Sequence, residues 1–138
     1  MSAMKPRFDR IARVVFYFEA IFINLGVGVV CFFAPGWFTS NFVPQGMPVL
    51  GLELIRWYGV LLLVLAYAAL RTLPLQDSRP LRYVIEALLF GDVAHLAASM
   101  LYLRAGGVQG IGTVFMFGMA TFLAVVRSGW LLQKRGEG

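Results

Sequence analysis

Positions 84–103 form a predominantly apolar run of about 20 residues, with one acid and one imidazole, Asp92 and His95, near its middle. At a helical rise of about 1.5 Å per residue, such a run matches the roughly 30 Å hydrocarbon core of a bilayer. A carboxylate near the centre of a span costs about 3 kcal/mol even on lenient insertion scales. Packing alone seldom sustains that cost. The run therefore points to lipid as the solvent of the fold, and to Asp92 as the place to look for chemistry.

Composition agrees. Of 138 residues, 59% are hydrophobic and only 14% are charged, whereas soluble domains carry about a quarter charged residues. A soluble domain of this size could not hide so much apolar surface. The net charge of +5 raises the possibility of a nucleic-acid partner, but the basic residues sit at span ends and act as topology signals. No nucleic-acid partner is expected. The single Cys31 excludes an internal disulfide. No cleavable signal peptide is expected, because the basic start leads into a span too long for an h-region.

Four spans are predicted, at about 14–33, 52–70, 84–103 and 111–126, within a single domain covering 1–138; the short fourth can extend back through Val108 or forward through Trp130 to Leu132. Helices satisfy their own backbone polar groups in lipid, so the fold class is all-α, a four-helix transmembrane bundle. The first loop carries Pro35, Pro44 and Pro48 with Trp37, Phe38 and Phe42 and no charge, a composition suited to the membrane interface. The second is short and polar, with Arg71, Asp77 and Arg79; the third is a flexible turn rich in glycine (Gly106, Gly107, Gly110, Gly112). Ten basic residues fall on the side of the termini (Lys5, Arg7, Arg10, Arg13, Arg71, Arg79, Arg82, Arg127, Lys134, Arg135) against two on the other (Arg56, Arg104). Both the N-terminus and the C-terminus are therefore expected to be cytoplasmic. A multi-pass integral membrane protein follows, in the inner (plasma) membrane if the source is bacterial.

Asp92, His95 and Ser99 fall within about 60° of one another on the third span. Ala87, Gly91, Ala94 and Ala98 form the adjoining stripe, and small residues let helices approach closely, so that stripe is expected to be a helix contact. The polar face then points into the bundle. It reads either as a site or as a structural Asp–His clamp. Span one carries Tyr17, Asn24 and Cys31 at heptad spacing. Asn24 lies at a depth matching Asp92 and is the expected partner, as interhelical glue or as a ligand contact.

Glu19 has no charged neighbour one turn away in either direction and is a candidate intramembrane acid. Glu86 stands one turn beyond Arg82 and reads as half of an interfacial ion pair. Glu53 and Arg56 are i,i+3 neighbours and read as a snorkelling pair beside an aromatic belt, with Arg56 as an anion anchor the sharper reading. Tyr67 shares the Arg56 face and could line the same cavity. The Asp-x-x-His spacing invites a metal, but the di-iron version needs a second such pair and further carboxylates. The chain has one histidine, so no metal and no cofactor is expected.

Taken together, Phe18-Glu19, Phe33-Ala34-Pro35-Gly36-Trp37-Phe38, Arg56-Trp57-Tyr58-Gly59 and Gly91-Asp92-Val93-Ala94-His95-Leu96 give the chain a resemblance to short, functionally uncharacterised four-span membrane proteins of bacteria and fungi. Its general plan is also similar to the emopamil-binding (EXPERA) superfamily, small bundles with intramembrane carboxylates that bind or isomerise sterols. No residue roles are carried over from that superfamily.

Three function classes follow. In the first, a site within the bundle binds an apolar, lipid-like small molecule. Asp92, His95 and Glu19 are its candidate catalytic residues, with Asn24, Arg56, Tyr67, Ser99 and Tyr17 as ligand contacts. Isomerisation or cyclisation suits such a site, since it needs a proton donor and acceptor shielded from water and no cofactor. In the second, the chain is a non-catalytic accessory subunit of a larger membrane complex. The third is a proton-coupled carrier, which would require dimerisation to supply a second gate. Membrane lipid is a partner in every case, and a homodimer fits the first and third.

Overall fold

The computed structural model describes residues 4–41, 43, 45–75, 79–106 and 111–135. Every regular element among them is helical. Helix α1 (Met4–Phe18) runs into a π-helical segment (Glu19–Val27) and on into α2 (Gly28–Phe33), followed by α3 (Pro35–Ser40), α4 (Val49–Thr72), α5 (Arg79–Arg104) and α6 (Ile111–Arg135). The all-α class expected of the sequence is what the chain adopts.

Four helical stretches are long and apolar enough to cross a membrane: Arg7–Phe33, Val49–Thr72, Arg79–Arg104 and Thr113–Arg135. Large apolar side chains such as Phe33, Leu50, Phe90, Leu101, Phe115 and Val125 are exposed along them. Soluble monomers rarely expose contiguous apolar surface on that scale; in lipid it is solvated.

The fourth helix takes the forward extension that its sequence allows, through Arg127 and past Leu132 to Arg135. No glycine cap or proline interrupts it there, and Arg127 has a partner that offsets its burial. Elsewhere the breaks follow local chemistry. Ala34 precedes a proline, leaves the helical region (φ −134°, ψ 56°) and ends α2, and Pro35 then opens α3 at its first position. Gly106, at φ +82°, closes α5 with its N–H on the Leu103 carbonyl at 3.1 Å, the left-handed cap that glycine adopts without strain. Phe42, Pro44, Asp77, Gly107 and Gly110 lie outside the described residues.

The chain divides into two compact units, Met1–Arg13 with Leu75–Gly138, and Val14–Pro74. In the first, Leu81, Ile85 and Leu88 of α5 are buried, as are Ala120, Leu123, Arg127, Trp130 and Leu131 of α6. These positions recur at three and four residues, one face of each helix. Asp92, His95 and Ser99, all half-buried, continue the α5 face.

The small-residue stripe beside them is not what packs α5 on α6. Ala87, Gly91, Ala94 and Ala98 are exposed, and a methyl group on Gly91 would meet nothing within 4 Å. The larger apolar residues Leu81, Ile85 and Leu88 supply the packing within the unit.

Close approach occurs in the second unit, where α2 crosses α4. A methyl group on Gly59 would stand 2.8 Å from the Gly28 carbonyl oxygen, 2.9 Å from the Phe32 nitrogen and 3.0 Å from Cys31 Cβ. Only glycine fits at that crossing. Leu62, Ala66 and Ala69 continue the buried side of α4.

Candidate functional site

Two buried polar pairs stand out, one in each unit. The first joins α5 to α6: Arg127 Nη1 donates to Asp92 Oδ2 and also to the Leu88 carbonyl at 3.3 Å. The side chains of Arg127 and Asp92 are 1% and 12% exposed. In hydrocarbon neither charge could stand alone; together they neutralise one another and pin the two helices in register. The pair fastens α5 to α6.

Arg127 was the residue that sequence reasoning misplaced. As the first basic residue after an apolar run, it looked like a span end. The signal available was its spacing: Leu123, Arg127, Trp130 and Lys134 share the helix face that is buried.

His95 lies one turn beyond Asp92 on the same face, and Ser99 one turn further; both are half-buried. Glu86 is exposed, and Arg82, its expected partner, donates through Nη2 to the Lys134 carbonyl at 2.8 Å.

The second pair is Glu19 and Asn24, 5% and 4% exposed, with Asn24 Nδ2 donating to Glu19 Oε1 at 3.3 Å. In an α-helix, residues five apart diverge by about 140°. They meet because Glu19–Val27 is π-helical, and the i→i+5 pattern brings such positions onto one face. π turns of this kind are rare and gather at functional sites. The sequence offered Asn24 to Asp92 by matched depth; in the structure its amide goes to Glu19, and Asp92 takes Arg127.

The π segment also walls a groove of about 540 Å³ against α3, lined by Phe22, Gly26, Val27, Val30, Trp37, Phe38 and Asn41. Its surface is apolar, apart from Asn41, whose Nδ2 donates to the Trp37 carbonyl at 3.0 Å. Thr39 and Ser40 return their hydroxyls to the carbonyls of Pro35 and Trp37 at 3.0 and 2.7 Å, which holds the short α3 together.

The remaining expected ligand contacts lie elsewhere. Arg56 pairs with Glu53 in a part-exposed i,i+3 bridge, the snorkelling arrangement. Tyr67 is 68% exposed and lines neither the groove nor a buried face. Tyr17 is half-buried and is not among the groove residues. Among the described residues, no three metal-ligating side chains come together. No family model, curated protein or solved structure matches the chain.

Proposed function

We propose that this is a multi-pass membrane protein, with both termini cytoplasmic, that binds an apolar, lipid-like small molecule in the groove between the π segment and α3. The groove itself carries the reading. Its volume of about 540 Å³ falls within the range of small-molecule sites, and its lining combines apolar and aromatic surface with one polar group, as such sites do. Glu19 does not line the groove; it is buried in the same π segment, bonded to a neutral amide, and would carry a proton in an isomerisation or cyclisation only of a molecule that reaches past the groove wall to it. No cofactor is required for such a step.

Purification of the native protein in mild detergent, with mass spectrometry of what it retains, tests the binding. A methyl group on Gly26 meets only the Ile21 carbonyl oxygen, at an ordinary 3.6 Å, so Gly26→Leu should fold and obstruct the groove. A small molecule retained by the parent and lost from Gly26→Leu is the expected result. Equal retention by both would remove the groove from the proposal.

One observation favours the accessory-subunit reading instead. The stripe Ala87, Gly91, Ala94 and Ala98 is exposed along α5, and small residues of this kind are what a second transmembrane helix packs against. A stoichiometric protein partner in the same purification, with no retained small molecule, would favour that role.

A further inference from the structure

In the first unit, side-chain contacts draw three helix ends together: the start of α1, the start of α5 and the end of α6. Asp9 accepts the indole N–H of Trp130 at 2.8 Å and Arg13 Nε at 3.1 Å, and stands 3.5 Å from Lys134 Nζ. Lys134 lies 5.9 Å from the centroid of the Trp130 ring. Arg82 reaches across from α5 to the Lys134 carbonyl.

Asp9 is met by Arg13 and Lys134, whereas Arg82 reaches only the Lys134 carbonyl and meets no carboxylate among the described residues. The Nε–H of Arg82 is buried and meets no acceptor, an expensive state for a charged donor. Arg7, Arg10, Arg79 and Arg135 are exposed on the same three helix ends. The positive-inside rule accounts for basic residues on one side of a membrane. It does not account for a guanidinium, that of Arg82, held at this junction with one N–H unmet and no carboxylate against it among the described residues.

We infer that this end of the unit is a binding site for a phosphate group, supplied by the headgroup of an anionic phospholipid. Guanidinium groups bind phosphate through paired N–H donors. Basic pockets between transmembrane helices at the headgroup level hold acidic lipids in this way. Arg82 is the central contact, with Arg79 beside the same helix start and Arg10 and Arg135 on the other two helix ends. Phosphatidylglycerol satisfies the site; phosphatidylcholine, whose own ammonium opposes the cluster, does not.

The test uses the full chain in neutral detergent, titrated with dioleoyl-phosphatidylglycerol or dioleoyl-phosphatidylcholine and read by native mass spectrometry and by thermal melting. Phosphatidylglycerol should remain bound and raise the melting temperature, and the effect should shrink as salt rises. Arg82→Gln should weaken retention about fivefold, the worth of one basic residue near an anionic surface. Arg104→Gln, at the far end of α5, should change nothing. Should Arg82→Gln fail to fold, the exposed pair Arg10→Gln and Arg79→Gln reports on the same site without touching packing. Equal retention of the two lipids, or no loss in these variants, would overturn the assignment. Displacement of phosphatidylglycerol by excess inorganic phosphate would overturn the lipid source, leaving a free-phosphate site.

Discussion

Asp92 of α5 and Arg127 of α6 form an ion pair buried between two helices that are otherwise apolar along their shared face. Each residue explains the other: the carboxylate is tolerable in a span because the guanidinium is there, and the helix passes beyond position 126 because Arg127 is neutralised. Removing one partner leaves an uncompensated buried charge, which costs about 3–5 kcal/mol. Arg127→Leu should therefore destabilise the protein by that order in a detergent-unfolding titration. Asp92→Leu in the same chain should recover most of the loss, since a pair replaced by apolar residues is near neutral or better. A single variant as stable as the parent would show that the pair holds nothing.

Glycine at the α2–α4 crossing gives a second contrast. Gly59→Ala drives a methyl group into the Gly28 carbonyl and the Phe32 nitrogen, both backbone atoms, and should cost about 1–3 kcal/mol. Gly91→Ala projects into open space and should be neutral or stabilising by up to about 1 kcal/mol, the helix preference of alanine over glycine. Comparable losses in the two variants would mean that α5 is packed where the structure leaves it open.

These two sites show what could be read in advance. Length and hydropathy were enough for four helices, because lipid demands internal backbone pairing. The face carrying Asp92, His95 and Ser99 was legible from helical spacing. Its partner was not, because Arg127 follows an apolar run much as a basic residue at a span end does, and hydropathy cannot tell a neutralised arginine from a terminal one. The Glu19–Asn24 bond was hidden for another reason. A π segment changes the angular step, so a search one α-helical turn either side of Glu19 stops short of Asn24, five residues on. The Gly28–Gly59 crossing was visible only as glycines, with no spacing to set it apart from the denser stripe on α5.

Orientation follows from charge. With Arg127 inside a helix, nine basic residues remain on the side of the termini, against Arg56 and Arg104. Both termini should be cytoplasmic. Reporter fusions at Gly138 and in the 43–48 segment should report opposite sides of the membrane. A fusion at Gly138 that reads as external would reverse the topology, and with it the leaflet in which the Asp9 and Arg82 cluster lies.

Glu19 separates binding from chemistry. Asn24→Leu removes the amide that Glu19 Oε1 accepts from and buries the carboxyl with one donor fewer, so it should destabilise the protein by about 1–3 kcal/mol. Glu19→Gln keeps the length of the side chain and an oxygen for the Asn24 amide while removing the ionisable proton. It should fold, insert and retain the small molecule as the parent does. If the proton is used in an isomerisation or cyclisation, conversion of the retained molecule should stop in this variant, with melting temperature and retention unchanged. Conversion at the parent rate would exclude Glu19 from acid–base work and leave the groove as a binding site alone. Loss of retention together with stability would instead make the Glu19–Asn24 bond the brace that shapes the π segment.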